Sequence, residues 1–191
     1  MRIYHWGNSL VVSLILITVV LRKTIFDDSE LSLRIFKFFE SSEITINKDK
    51  SLELASDIAQ SMWNWHYYFG FALAALIIYR IALFFTKSGQ SVILDAFSVL
   101  KKEKKNDYWI KMLYLAVYTS IFIMALTGVL MYFYTDLGFS EETRLMMENL
   151  HVGVMNVIVY FIPFHIIGVV LAENEDQQGI TSDMINGGKT K

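Results

Sequence analysis

Four apolar runs, at about 3–21, 62–86, 110–134 and 150–172, constrain this chain more than any other feature. Each holds about 20 residues or more, enough to cross the core of a bilayer as an α-helix. The second to fourth lack the polar face that a helix in a small soluble domain turns to water. The expected fold is all-α: a membrane-embedded four-helix up-and-down bundle, with residues 1–191 as a single transmembrane domain. The first run has one basic residue, Arg2, at its start, as a signal peptide would. It is long for a signal peptide, and Arg22-Lys23 follow where small residues would mark cleavage, so a retained helix is expected.

Each of the four histidines falls in one of these runs: His5 in the first, His66 in the second, His151 and His165 in the fourth. Ionisable groups are costly in a membrane and mark function by default. Two histidines facing one iron hold a b-type haem. With the N-terminus inside, His5 and His165 lie near the inner edge, and His66 and His151 near the outer edge. The fourteen residues from His151 to His165 span about 21 Å of helix and return to within about 40° of the same face. Two haems in series are therefore expected, ligated by His66/His151 and His5/His165. The competing reading is four histidines that bond neighbouring helices; two same-depth pairs with none left over weigh against it. A zinc or di-iron site would recruit carboxylates, and none lies at histidine depth. With no cysteine in the chain, thiolate ligation and covalent haem attachment are excluded.

Arg80 follows His66 by fourteen residues, on nearly the same face and towards the inner end. It is expected to meet the propionates of the inner haem; snorkelling to the interface is the alternative. Gly70, one turn from His66, clears side-chain bulk where a porphyrin would approach, or allows close helix packing. Gly128 and Gly168 carry the same two readings.

Orientation is read from the loops. The connector at about 87–111 holds Lys87, Lys101, Lys102, Lys104, Lys105 and Lys111, which places it in the cytoplasm with both termini. Arg22 and Lys23 fall on the opposite side, against the rule. The outer connectors are acidic. Residues 24–61 hold eight acids against four bases, and residues 136–148 hold four acids against one. The 24–61 connector has no glycine or proline and is expected to form short amphipathic helices on the outer surface or against a partner. The segment 88–100 is expected to do the same on the inner side, and the polar tail after Glu173 to lie along the cytoplasmic face.

The chain resembles the prokaryotic cytochrome b561 family, most closely the branch with the cytochrome b subunit of membrane-bound nickel–iron hydrogenases. The resemblance rests on Arg2-Ile3-Tyr4-His5-Trp6, on His66 with Gly70 and Arg80, on Thr127-Gly128, on His151 and His165, and on a tail with Ser182, Met184, Asn186 and Gly187. It implies haem ligation by His5, His66, His151 and His165, a place in the bacterial inner membrane, and electron exchange with the quinone pool of a respiratory chain.

Bis-histidine ligation leaves no open coordination position, so electron transfer is the expected activity. The first reading is an electron-transfer subunit of an oxidoreductase, rather than a self-sufficient enzyme, linking a periplasmic redox partner to quinone. A stand-alone superoxide:quinone oxidoreductase ranks second, because an acidic outer surface repels superoxide. A non-redox membrane scaffold ranks last. The expected partners are the lipid bilayer, a quinone and a periplasmic or membrane-bound redox protein; no nucleic acid is expected.

Overall fold

A computed structural model of the protein describes residues 2–84, 105–174 and 179–186. Among them every regular element is an α-helix: α1 Arg2–Thr24, α2 Asp28–Ser41, α3 Lys48–Phe84, α4 Lys105–Tyr132, α5 Glu141–Asn174 and α6 Ile180–Asn186. The fold class is all-α. The chain is a multi-pass membrane protein in which α1, α3, α4 and α5 are each long and apolar enough to cross a bilayer. The segment 88–100, the lysines at 87, 101, 102 and 104, and Gly187 lie outside the described residues.

Surface chemistry is inverted relative to a soluble protein. Tyr160, Phe164 and Ile78 are 68%, 69% and 67% exposed, whereas Thr18 and Thr127 are each 5% exposed. Large apolar side chains therefore face the lipid, and small hydroxyl residues line the helix contacts, as packing without a hydrophobic driving force requires.

The chain falls into two compact units. In the unit Gly7–Leu73, helix α2 starts at Asp27, whose carboxylate accepts from the amides of Ser29 and Glu30 at 3.1 and 3.3 Å. Those are orphan donors of a first helical turn. Ser29 also donates its hydroxyl to the same oxygen, and these bonds hold the Asp27 carboxyl below the usual carboxylate range. At the other end Ile44 N–H bonds the Phe39 carbonyl and Glu43 N–H the Glu40 carbonyl. This closing turn places Glu43 at φ 59°, where glycine is the usual residue.

Helix α3 begins at Lys48, capped by the Asn47 side chain, which accepts from the Lys50 amide at 2.7 Å. The last part of the 24–61 connector is thus not a separate surface helix. It is a continuous extension of the spanning helix, by about 21 Å at 1.5 Å per residue. Nothing between 48 and 61 interrupts it, since no glycine or proline is present. Ser51, Ala55 and Ala59, four residues apart, are its buried stripe, and Ser32 of α2 meets Ser51 there at 3.0 Å.

The other unit comprises Met1–Trp6 and Ala74–Lys191, and in it α4 packs against α5 and α5 against α6. The face of α4 toward the packing is Val117, Ser120, Ile121, Met124 and Thr127, a three-and-four spacing. On α5 the matching stripe passes through Met147, His151, Ile158 and His165, so both histidines share the covered face, as their spacing required. Pro163 lies inside α5, two residues before His165, and leaves the Val159 carbonyl without its usual intrahelical donor. Between α4 and α5, Gly138 at φ 69° turns the chain, and Ser140 caps α5 by accepting from Thr143 N–H at 3.2 Å.

Candidate haem site

His5 and His165 come from near opposite ends of the sequence and meet in one unit. Their ring centroids are 6.2 Å apart, with planes tilted by 60°. Phe161, one turn before His165, stacks on its ring at 5.1 Å, and Trp6 packs edge-on against His5 at 5.6 Å. The Trp6 indole N–H donates to the Met184 carbonyl at 3.2 Å, tying the start of α1 to α6. Helix α6 is itself held by Glu173, whose carboxylate oxygens accept from Gly179 N–H at 2.8 Å and Thr181 N–H at 2.9 Å. The tail thus folds back onto the end of α5 and against the segment that carries His5. Sequence reasoning placed this tail only along the cytoplasmic face; the one signal of its docking was Glu173 followed by a glycine six residues on.

Arg80 belongs to the same unit. Its guanidinium carbon lies 5.6 Å from the centre of the Tyr4 ring, next in sequence to His5. The arginine expected at the inner end of α3 therefore sits beside the residue preceding His5.

His66 and His151 lie in different units, and each has its own local support. His66 Nδ1 lies 3.0 Å from the Thr18 hydroxyl, and Trp63 packs edge-on against its ring at 5.5 Å. His151 Nδ1 lies 2.9 Å from the Thr127 hydroxyl. A Cβ placed on Gly128 would stand 3.4 Å from His151 Cε1, so this position borders the ring edge at ordinary contact distance. Around Gly70 and Gly168 a Cβ would meet no described heavy atom within 4 Å. Of the residues read from sequence, Thr127 was singled out only by resemblance, and Thr18 was missed. Its one trace in the sequence was a lone hydroxyl in the apolar stretch 14–21, towards the C-terminal end of α1.

Two imidazoles suit haem b. A ring nitrogen would bind a metal at about 2.0–2.1 Å, and the 6.2 Å between the His5 and His165 centroids would leave both rings within reach of one metal ion. Among the described residues no three histidine or carboxylate side chains gather as a metal cluster, so the donor set on offer is paired imidazoles. The sequence pattern described as prokaryotic cytochrome b561 matches residues 1–187. The chain belongs to the prokaryotic cytochrome b561 family. No curated protein and no solved structure matches it. As a family member it is a membrane b-type cytochrome that binds haem and takes part in electron transfer.

Proposed function

We propose that this cytochrome b561 carries two b haems and moves electrons across the bacterial cytoplasmic membrane, between a periplasmic redox partner and the quinone pool. His66 and His151 ligate the outer haem, His5 and His165 the inner one, and both termini are cytoplasmic. The protein works as the electron-transfer subunit of an oxidoreductase rather than as a self-sufficient enzyme. The observation that carries this reading is the approach of His5 and His165 to 6.2 Å between ring centroids. Bound haem supplies a one-electron couple and no open coordination position. The chain's own residues orient the imidazoles, exclude water with the apolar spans and place charge near the site. Arg80, which lies beside Tyr4, would supply the cation for the inner propionates. A Cβ at Gly70 would meet nothing within 4 Å, which would leave room beside α3 for a porphyrin edge.

The partner reading draws on charge. Arg144, the one base in the 136–148 connector, is bound to Glu141 at 2.7 Å and Glu148 at 2.9 Å. Its charge is spent locally, leaving an acidic surface that suits a partner with a basic patch.

The test is haem content and its loss by variant. Purified protein is expected to hold two six-coordinate, low-spin b haems per chain. His5→Ala and His165→Ala should each remove the same haem, and His66→Ala and His151→Ala should each remove the other. One haem per chain, or loss of the same haem from His5→Ala and His66→Ala, overturns the proposal.

A further inference from the structure

Thr18 and Thr127 stand in the same relation to their histidines, on different helices. Each hydroxyl is close to a carbonyl of its own helix: Thr18 Oγ1 is 2.6 Å from the Ile15 oxygen, and Thr127 Oγ1 is 2.7 Å from the Ile123 oxygen. Two oxygens at such a distance need a proton between them, and the carbonyl has none to give. Each hydroxyl proton is therefore committed to the backbone, and both threonines are buried, at 5% exposure. What remains on each Oγ1 is acceptor capacity. It faces Nδ1 of His66 at 3.0 Å and Nδ1 of His151 at 2.9 Å. Both bonds close only if Nδ1 carries the proton. A neutral imidazole has one N–H, so Nε2 is then the nitrogen that carries no proton.

We infer that Thr18 and Thr127 are positioning residues that fix the tautomer and orientation of His66 and His151, so that each presents Nε2 as a metal ligand. The inference deepens the haem-ligand reading and rests on it. A threonine in a membrane helix commonly bonds its own i−4 carbonyl and does nothing further. Here the same oxygen also meets a histidine nitrogen, and it does so twice, from α1 to α3 and from α4 to α5. The hydroxyl that donates to a carbonyl is also a better acceptor, because hydrogen bonds in series polarise one another. Each imidazole thereby gains basicity as a ligand, which favours the oxidised metal.

The experiment compares Thr18→Val, Thr127→Val, Thr18→Ser and Thr127→Ser in the full-length, haem-loaded protein. It reads haem content, the midpoint potential of each haem and the low-spin ferric resonance. Valine keeps the shape and removes the acceptor; serine keeps the acceptor. Each valine variant is expected to raise the potential of the haem bound by its histidine and shift its ferric resonance, with the other haem unmoved. Each serine variant should return both signals toward wild type. Loss of that haem in the valine variant with retention in the serine variant supports the inference equally. Unchanged potentials and resonances in both valine variants at full haem content overturn it, as does an equal effect of valine and serine. Failure of the ligand reading looks different: His66→Ala and His151→Ala would then keep both haems. If Thr18→Val and Thr127→Val move different haems, the positioning role stands and the His66/His151 pairing falls.

Discussion

Gly128 gives the sharpest steric test of the His151 environment. A Cβ there would lie 3.4 Å from His151 Cε1 and 3.9 Å from Nδ1, which is ordinary contact. Gly128→Ala should therefore be accepted without moving the ring. It should even stabilise α4 by up to about 1 kcal/mol, the usual cost of glycine in a helix interior. Gly128→Val is another matter. Its two γ-carbons extend about 1.5 Å beyond Cβ, and the single χ1 rotamer that a helix favours for valine restricts their turning away from the ring. The side chain then enters the normal carbon contact distance of about 3.5–4.0 Å. Overpacking of this kind costs about 1–3 kcal/mol. A ring pushed aside also loses its 2.9 Å bond to Thr127, worth about 0.5–1.5 kcal/mol. Together the valine variant should lose roughly 2–4 kcal/mol and show a disturbed spectrum for one haem only. Thermal unfolding followed through haem absorbance, with the ferric resonance of the folded state, measures both effects. A valine variant with wild-type stability and spectra, or an alanine variant that loses haem, refutes the reasoning.

Two further outcomes follow from charged groups. Arg80→Gln touches no proposed ligand, so both haems should stay bound while the inner potential falls. A unit charge about 10 Å away at an effective dielectric near 20 is worth roughly 1.7 kcal/mol, or about 70 mV for one electron, and a redox titration that finds both potentials unchanged returns Arg80 to an interfacial role. Asp27 is held below its ordinary pKa first by the Ser29 hydroxyl and then by the Glu30 amide. Its contribution to α2 is present above the ordinary aspartate value of about 3.9 and fades as pH falls through the lower folded value. Amide exchange of Leu31 and its neighbours should accelerate in that acid range in wild type, and should already be fast at neutral pH in Asp27→Ala.

The spans were legible because each carries about 20 residues of apolar sequence, and little but a membrane helix uses that much. The helical phase of His151 and His165 was legible for the same reason, since a fixed 3.6-residue period turns spacing into direction. What escaped was the continuation of order past the apolar stretch. Residues 48–61 are charged on one side, so hydropathy reads them as connector, yet the Ser51, Ala55 and Ala59 stripe is buried and the helix is unbroken. The start of α5 at Glu141 escaped likewise, although Ser140 with Glu141 and Glu142 is a helix-start pattern of cap and favourable first-turn charge. Thr18 escaped because one threonine in an apolar helix has no pattern of its own; its role depends on a histidine 48 positions away.

Arg22 shows how a local contact resolves a conflict that counting residues raises. It lies on the outer side of the proposed topology, where the positive-inside rule disfavours bases. The guanidinium donates to Asp28 at 2.6 Å and to the Phe26 carbonyl at 2.8 Å, and its side chain is only 17% exposed. An arginine paired this closely with a carboxylate presents little net charge to the membrane surface. The same holds for Arg144 between Glu141 and Glu148. Each pair also removes acids from the outer surplus, one at Arg22 and two at Arg144. The surplus that remains includes Asp136 and Glu142 beside α5 and Glu40 and Glu43 at the end of α2. Those are carboxylates for which no basic side chain within the described residues forms an ion pair. If the proposed topology holds, a partner approaching from the outer side would meet unspent negative charge, whereas the bases there are already engaged or outnumbered. Under the proposed topology, docking should therefore weaken steeply with salt, since exposed charges lose most of their mutual attraction beyond a Debye length of about 8 Å at physiological ionic strength.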